Sequence, residues 1–368
     1  MHVEIMKPFL WVFPILLLVS ILHYPCFVDG APQVPCYFIF GDSLSDSGNN
    51  NGLLTLAKAN YKPYGIDFPR GPTGRFSNGR NLVDVIAELL GFSHYIPPFA
   101  TAIGWEILHG VNYASGAAGI RDESGRNQGM RVTFNKQLVN HQNIVRQIVS
   151  LQGNNNSAAI QYLGKCIYTV TIGSNDYINN YFMPRLYSTS RQFTSEQYAG
   201  VLIQQYSGQI KTLYNSGARK IALFGLGTIG SIPFEVAMCN SSTNVSLCSD
   251  NMNSAVQVFN ARLQSLVDDL NSNLTDAKFT YIDFYGIGLS SAAASLGSVI
   301  FDAPCCEVVR ETGLCVPFNT PCQNRTQYSF WDAIHPSESS NVVLGGRAYN
   351  ATLPTDAVPF DINQLAQA

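Results

Sequence analysis

Ser43 lies in the run Tyr37-Phe-Ile-Phe-Gly-Asp-Ser-Leu-Ser-Asp-Ser-Gly-Asn-Asn50. An apolar stretch stops at Gly41, and a turn rich in Gly, Asn and Ser follows. That composition places a serine at the carboxyl end of a strand, and in an open α/β sheet ligands bind outside those strand ends. A serine there is either a helix cap or a nucleophile. A nucleophile needs a base to take its proton, a carboxylate to hold the base in one tautomer, and donors for the developing oxyanion.

Asp332 and His335 could supply the carboxylate and the base, in that order. They stand three residues apart, directly before Pro336, so one loop can deliver both to the same side. Asp-x-x-His pairs are common, and a lone loop histidine is more often packed or solvated. Beyond residue 30 the other histidines are His94, His109 and His141, the last within a predicted helix. Asn175, in Thr171-Ile-Gly-Ser-Asn-Asp176, ends a second apolar run and can serve as an oxyanion donor; alone, its surroundings read as a turn. Gly116, in Asn112-Tyr-Ala-Ser-Gly-Ala-Ala-Gly119, can offer a backbone N–H at close approach; alone, it reads as a packed small-residue loop.

The elements that must position these residues alternate. Strands are predicted over Tyr37–Phe40, Ile167–Ile172, Lys220–Phe224 and Phe279–Phe284. Helices are predicted over Asn81–Leu90 (started by Asn78-Gly79), Lys136–Gln152, Ser195–Tyr214, Ala255–Leu270 and finally Ser337–Tyr349. Short apolar strands between helices imply a parallel sheet covered on both faces. Gly225-Leu-Gly-Thr-Ile-Gly230 matches a dinucleotide fingerprint and follows a strand, but it lies deep in the chain and precedes Ser231-Ile-Pro233, which does not read as helix. It is assigned to a strand-end loop that could line a pocket. Tyr61, Tyr64, Phe68 and Phe76 could line an acyl or aromatic pocket, but packing is the favoured reading.

Residues 1–30 read as a secretory signal, with Lys7, an apolar Phe9–Leu22 and Val28-Asp-Gly30 before the cut. That apolar stretch, interrupted by Pro14, falls short of the ~20 residues that span a bilayer, and no later stretch is long enough. Residues 31–368 are expected to form one domain, with no stable membrane anchor after cleavage. The formal net charge is −3, of which −1 lies in the leader, leaving −2; nothing there recruits nucleic acid. Sequons at Asn155, Asn240, Asn244, Asn273, Asn324 and Asn350 suit a glycosylated protein, secreted to the extracellular space or cell wall.

Cys26 leaves with the signal. Eight cysteines remain, an even number that favours disulfides over a metal site. Cys239 and Cys248 are expected to pair. Cys305, Cys306, Cys315 and Cys322 can close two bridges whose connectivity stays open. Cys36 and Cys166 could pair or stay buried and free, burial being the commoner fate.

Taken in order, Gly41-Asp-Ser-Leu44, the Gly116 block, Gly173-Ser-Asn-Asp176 and Asp332-x-x-His335 resemble the blocks of the GDSL esterase/lipase family of SGNH hydrolases. Gly74-Arg-Phe-Ser-Asn-Gly79, Asn112–Ile120 and Lys165-Cys-Ile-Tyr168 are similar to its secreted plant branch. The resemblance implies a flavodoxin-like three-layer α/β/α sandwich with a mainly parallel sheet. It implies a Ser43–His335–Asp332 triad acting through an acyl-enzyme. The oxyanion hole would be the N–H groups of Ser43 and Gly116 and the side chain of Asn175. The substrate would be a small-molecule or lipid ester, with no cofactor or metal. Acyl transfer to an alcohol other than water uses the same residues and is the alternative; a ligand-binding glycoprotein without catalysis is a third reading. Asp42 is read as a structural hydrogen-bonding residue.

Overall fold

The computed structural model describes residues 31–239, 245–294 and 299–368. The signal, Cys26 and the sequons at Asn240 and Asn244 lie outside them. Five strands form the central sheet: β1 (Tyr37–Gly41), β2 (Ile167–Thr171), β3 (Lys220–Phe224), β4 (Lys278–Ile282) and, at the far edge, Ala357–Val358. The first four are parallel in that order, with Gly41 level with Thr171, so their carboxyl ends form one edge. The fifth strand is antiparallel to β4. Two residues carry no recognisable period, and the sequence reading has no counterpart to it.

Alternate residues of each strand enter different cores, as a period of two requires. Phe38, Phe40, Tyr168, Val170, Ile221 and Leu223 pack on one face against α2 (Phe134–Leu151), α3 (Asn156–Leu163), α4 (Ser195–Asn215) and α6 (Val245–Asn273). Tyr37, Ile39, Ala222 and Phe224 pack on the other against α1 (Leu82–Leu89), α8 (Glu338–Tyr349) and α9 (Ile362–Gln367). The result is three layers, α/β/α. Each fully buried Phe or Leu contributes about 1.5–3 kcal/mol. Between these helices lie α5 (Pro233–Cys239) and α7 (Phe284–Ala294); α5 opens at Pro233, where the sequence reading expects no helix, because proline is tolerated in a helix's first turn.

Several boundaries differ from the sequence reading for local reasons. Asn81, not Asn78-Gly79, caps α1; its side chain accepts from Asp84 N, and Asp84 accepts from Asn81 N, each at 3.0 Å. Asp84 also takes both arms of the buried Arg75, at 2.6 and 2.7 Å. Asn78 accepts the Glu338 N–H at 2.8 Å and so braces the start of α8. Phe284 begins α7 rather than ending β4. Ser337 is the N-cap of α8, and α9 follows it, so α8 is not the final helix.

The described cysteines form four disulfides. Cys239–Cys248 pairs as expected. The local cluster closes as Cys305–Cys322 and Cys306–Cys315, and Cys36 pairs with Cys166 rather than staying free. The parallel register of β1 and β2 carries Cys36 and Cys166 to neighbouring positions, which explains the last pair. Among the described residues no helix is long and apolar enough to cross a membrane. The sequon residues Asn155, Asn273, Asn324 and Asn350 are exposed.

Candidate active site

Gly41 is the last residue of β1, and Ser43 follows half-buried at the carboxyl edge. Asp42 N donates to Thr171 O at 3.1 Å, so the chain leaves the sheet still tied to β2. Asp42 Oδ1 accepts the Leu44 N–H at 3.0 Å, which turns the backbone beneath Ser43. Burial pushes the Asp42 carboxyl up to about 7, against the counter-pull of that N–H and of His335.

His335 arrives from the other end of the chain. Its Nε2 lies 2.8 Å from Ser43 Oγ, and its Nδ1 lies 2.8 and 3.0 Å from Asp332 Oδ2 and Oδ1. A carboxylate accepts, so Nδ1 carries the ring proton and the Nε2 lone pair faces the serine. Asp332 Oδ1 also accepts the N–H groups of Ile334 and His335, at 2.8 and 2.7 Å, and Trp331 N donates to His335 O at 2.8 Å. The 331–335 turn is therefore closed on its own side chain. Glu106 and His109 show the same spacing as Asp332 and His335, yet both are exposed and line a separate cavity that excludes Ser43.

Asn175 sits in a helical turn that opens just after β2. Gly173, at φ 129°, permits the sharp exit from the strand. Asn179 Nδ2 donates to Asn175 Oδ1 at 2.7 Å, and Asn175 Nδ2 donates to Ala118 O at 3.0 Å. The amide is thereby held with its nitrogen 3.5 Å from Asp42 Oδ2, in the cavity that Ser43 and His335 also line.

The segment before Gly116 runs along the free edge of β1. Tyr113 N donates to Ile39 O at 2.7 Å and Ser115 N to Gly41 O at 3.1 Å, which brings Gly116 to the same sheet edge. Its N–H is donated to Asp46 Oδ2 at 3.0 Å. A Cβ at 116 would stand 2.8 Å from Asn50 Nδ2 and 2.9 Å from Phe76 Cζ, so only glycine fits without movement. Ser43 N–H, in contrast, donates to no acceptor among the described residues.

Three features escaped the sequence reading. Tyr64, taken as packing, donates its hydroxyl to Asp332 Oδ2 at 2.6 Å. Phe76 lies against the His335 ring with centroids 4.7 Å apart. Asp46 and Asp176 are buried carboxylates, each pushed up to about 6 by desolvation, that gather backbone N–H groups around the site. Asp-Ser and Asn-Asp turns carry no mark of that duty in one sequence.

A cavity of about 250 Å³ opens beside Ser43. Its walls are mainly apolar, from Leu44, Ile178, Ile229, Ile232, Phe284 and Leu289, with Ile334 next to His335. Gly227 and Ile229 come from the Gly225–Gly230 run, which is a strand-end loop after β3 and a wall of this cavity.

The model of the GDSL-like lipase/acylhydrolase family matches residues 37–346. The chain belongs to that family. Three GDSL esterase/lipases of Arabidopsis thaliana are 55%, 54% and 54% identical to it, over 91–92% of this chain and 92–94% of theirs. As a family member it is an ester-bond hydrolase, and the family implies small-molecule ester substrates.

Proposed function

We propose that this protein is a secreted serine esterase/lipase in which Ser43, His335 and Asp332 form the triad. The observation that carries the reading is the unbroken chain Ser43 Oγ, His335 Nε2, His335 Nδ1, Asp332 Oδ2, with 2.8 Å at both junctions. Ser43 Oγ attacks the ester carbonyl carbon as its proton passes to His335 Nε2. The tetrahedral intermediate collapses, the C–O bond to the alcohol breaks, and the alcohol leaves with that proton. Water then attacks the acyl-enzyme by the same route and releases the acid.

The Ser43 N–H is the donor best placed for the oxyanion, and the Asn175 amide adds to it by turning away from Asp42 Oδ2, at 3.5 Å, the Nδ2–H that does not bond Ala118 O. The Gly116 N–H joins them only by loosening its bond to Asp46, so its share grows late, as negative charge develops. The apolar cavity beside Ser43 suits an ester with an apolar acyl group. Four disulfides and four exposed sequon asparagines support passage through the secretory route. The leader over residues 1–30 and a single domain over 31–368 belong to the same reading.

A fluorophosphonate should label the folded protein once, at Ser43, as read by peptide mass spectrometry. A label at another residue, or none, rejects the assignment. Products formed with and without an added alcohol separate hydrolysis from transfer. Free acid alone across plausible acceptors excludes the transferase alternative.

A further inference from the structure

The backbone of the 332–335 turn is tied outward through Ala333, whose N–H donates to Gly313 O at 2.9 Å and whose O accepts the Phe234 N–H at 2.8 Å, but the Asp332 carboxylate itself has a single partner outside the turn. Asp332 Oδ1 is occupied by Ile334 N and His335 N. Oδ2 faces His335 Nδ1 and one hydroxyl, that of Tyr64, at 2.6 Å. Among the described residues Tyr64 is the one donor to Asp332 from outside the turn. Tyr64 and Asp332 are both fully buried, at 0% exposure.

The tyrosine is itself pinned. Its oxygen accepts the Cys315 N–H at 3.1 Å, so its single proton is left for Asp332. Cys315 is bridged to Cys306, whose N–H donates to Trp331 O at 3.0 Å, one residue before Asp332. Tyr61 donates to Cys315 O at 2.9 Å. The circuit Tyr64, Cys315, Cys306, Trp331, Asp332 is closed. The Tyr64 ring also meets Phe76 edge-on at 6.1 Å, and Phe76 meets His335. Burial, and then the Asp332 charge, raise the Tyr64 hydroxyl well above the usual range, so it remains a donor.

We propose that Tyr64, clamped by the Cys306–Cys315 bridge, is a positioning residue for ester hydrolysis that fixes the Asp332 carboxylate and, through it, the ring of His335. The inference rests on the assignment of Ser43, His335 and Asp332 to the reaction.

The test is a cycle of Tyr64→Phe, Asp332→Asn and the double variant, with Ser43→Ala alongside. Losing a hydrogen bond to a buried charge should lower kcat by about ten- to a hundredfold in Tyr64→Phe, with KM within about twofold. In the Asp332→Asn background the same substitution should cost less than about twofold. An equal loss in both backgrounds means a general packing role and overturns the inference. So does an unchanged kcat. If Tyr64→Phe does not fold, 3-fluorotyrosine at position 64 keeps the ring and strengthens the donor. The acidic limb of kcat/KM should then move to lower pH, since a better-solvated carboxylate holds the shared imidazole proton less tightly. Asp42 is the other carboxylate whose charge reaches His335, and it is unchanged in that protein. An unmoved limb overturns the inference. If Ser43→Ala stays active, the triad assignment has failed; if it is inactive and Tyr64→Phe is unaffected, only the role of Tyr64 has.

Discussion

Asp46 Oδ2 accepts the backbone N–H of Gly116 at 3.0 Å, across 70 residues of chain. The same carboxylate takes Gly48 N and Asn49 N on Oδ1, at 2.7 and 2.8 Å. One buried acid therefore joins the turn after Ser43 to the loop that carries Gly116. An amide cannot accept at both atoms. Asp46→Asn should leave a buried N–H unpaired and cost about 1–3 kcal/mol in denaturant unfolding. Stability equal to the parent protein would show that the link is not structural.

Burial raises four carboxyls: Asp42 and Glu235 to about 7, Asp46 and Asp176 to about 6. Between its unfolded value and its folded one, each binds more proton in the folded state. Their contribution is fully present below the unfolded values of 3.8 and 4.5, and is lost as pH rises through 6 to 7. Asp67 and Asp356, which are held low beside arginines, act in the opposite sense, below the ordinary carboxyl range. Buried His141, pushed down to about 3, opposes them as a single group below its unfolded value of 6.5, so with four groups against one the melting temperature should fall from about pH 5 to pH 8. A steady rise over that window, followed by scanning fluorimetry, contradicts the assignment of these four groups.

Gly288 of α7 lines the cavity, and a Cβ there would meet no atom within 4 Å. Gly288→Phe should fill acyl space and leave Ser43, His335 and Asp332 untouched. Activity on acetyl esters should hold within about twofold, while long-chain esters lose about tenfold or more in kcat/KM. Equal losses at all chain lengths would place the acyl group elsewhere.

The four parallel strands were legible because each is a short apolar run buried on both faces, and their carboxyl ends carry Ser43 and Asn175. Asp332 and His335 were legible because the spacing that makes them partners is local. What was hidden depends on pairing across the fold. Tyr64 meets Asp332 across 268 residues, and nothing around Tyr64 distinguishes it from Tyr61. Asp46 reads as a turn residue, and only the segment lying along β1 reveals its second partner. Asn81 was obscured by Asn78, since both are polar and precede the same helix; Asn78 turns out to brace α8 instead.

The central claim is that Ser43 is the group acylated by the substrate. The direct measurement is hydrolysis of a short p-nitrophenyl ester by Ser43→Ala, alongside its melting curve. The expected result is an unchanged fold with kcat lowered by about a thousandfold or more, as for loss of one member of a cooperating set. A folded Ser43→Ala protein that turns over the ester at the parent rate would contradict the mechanism outright.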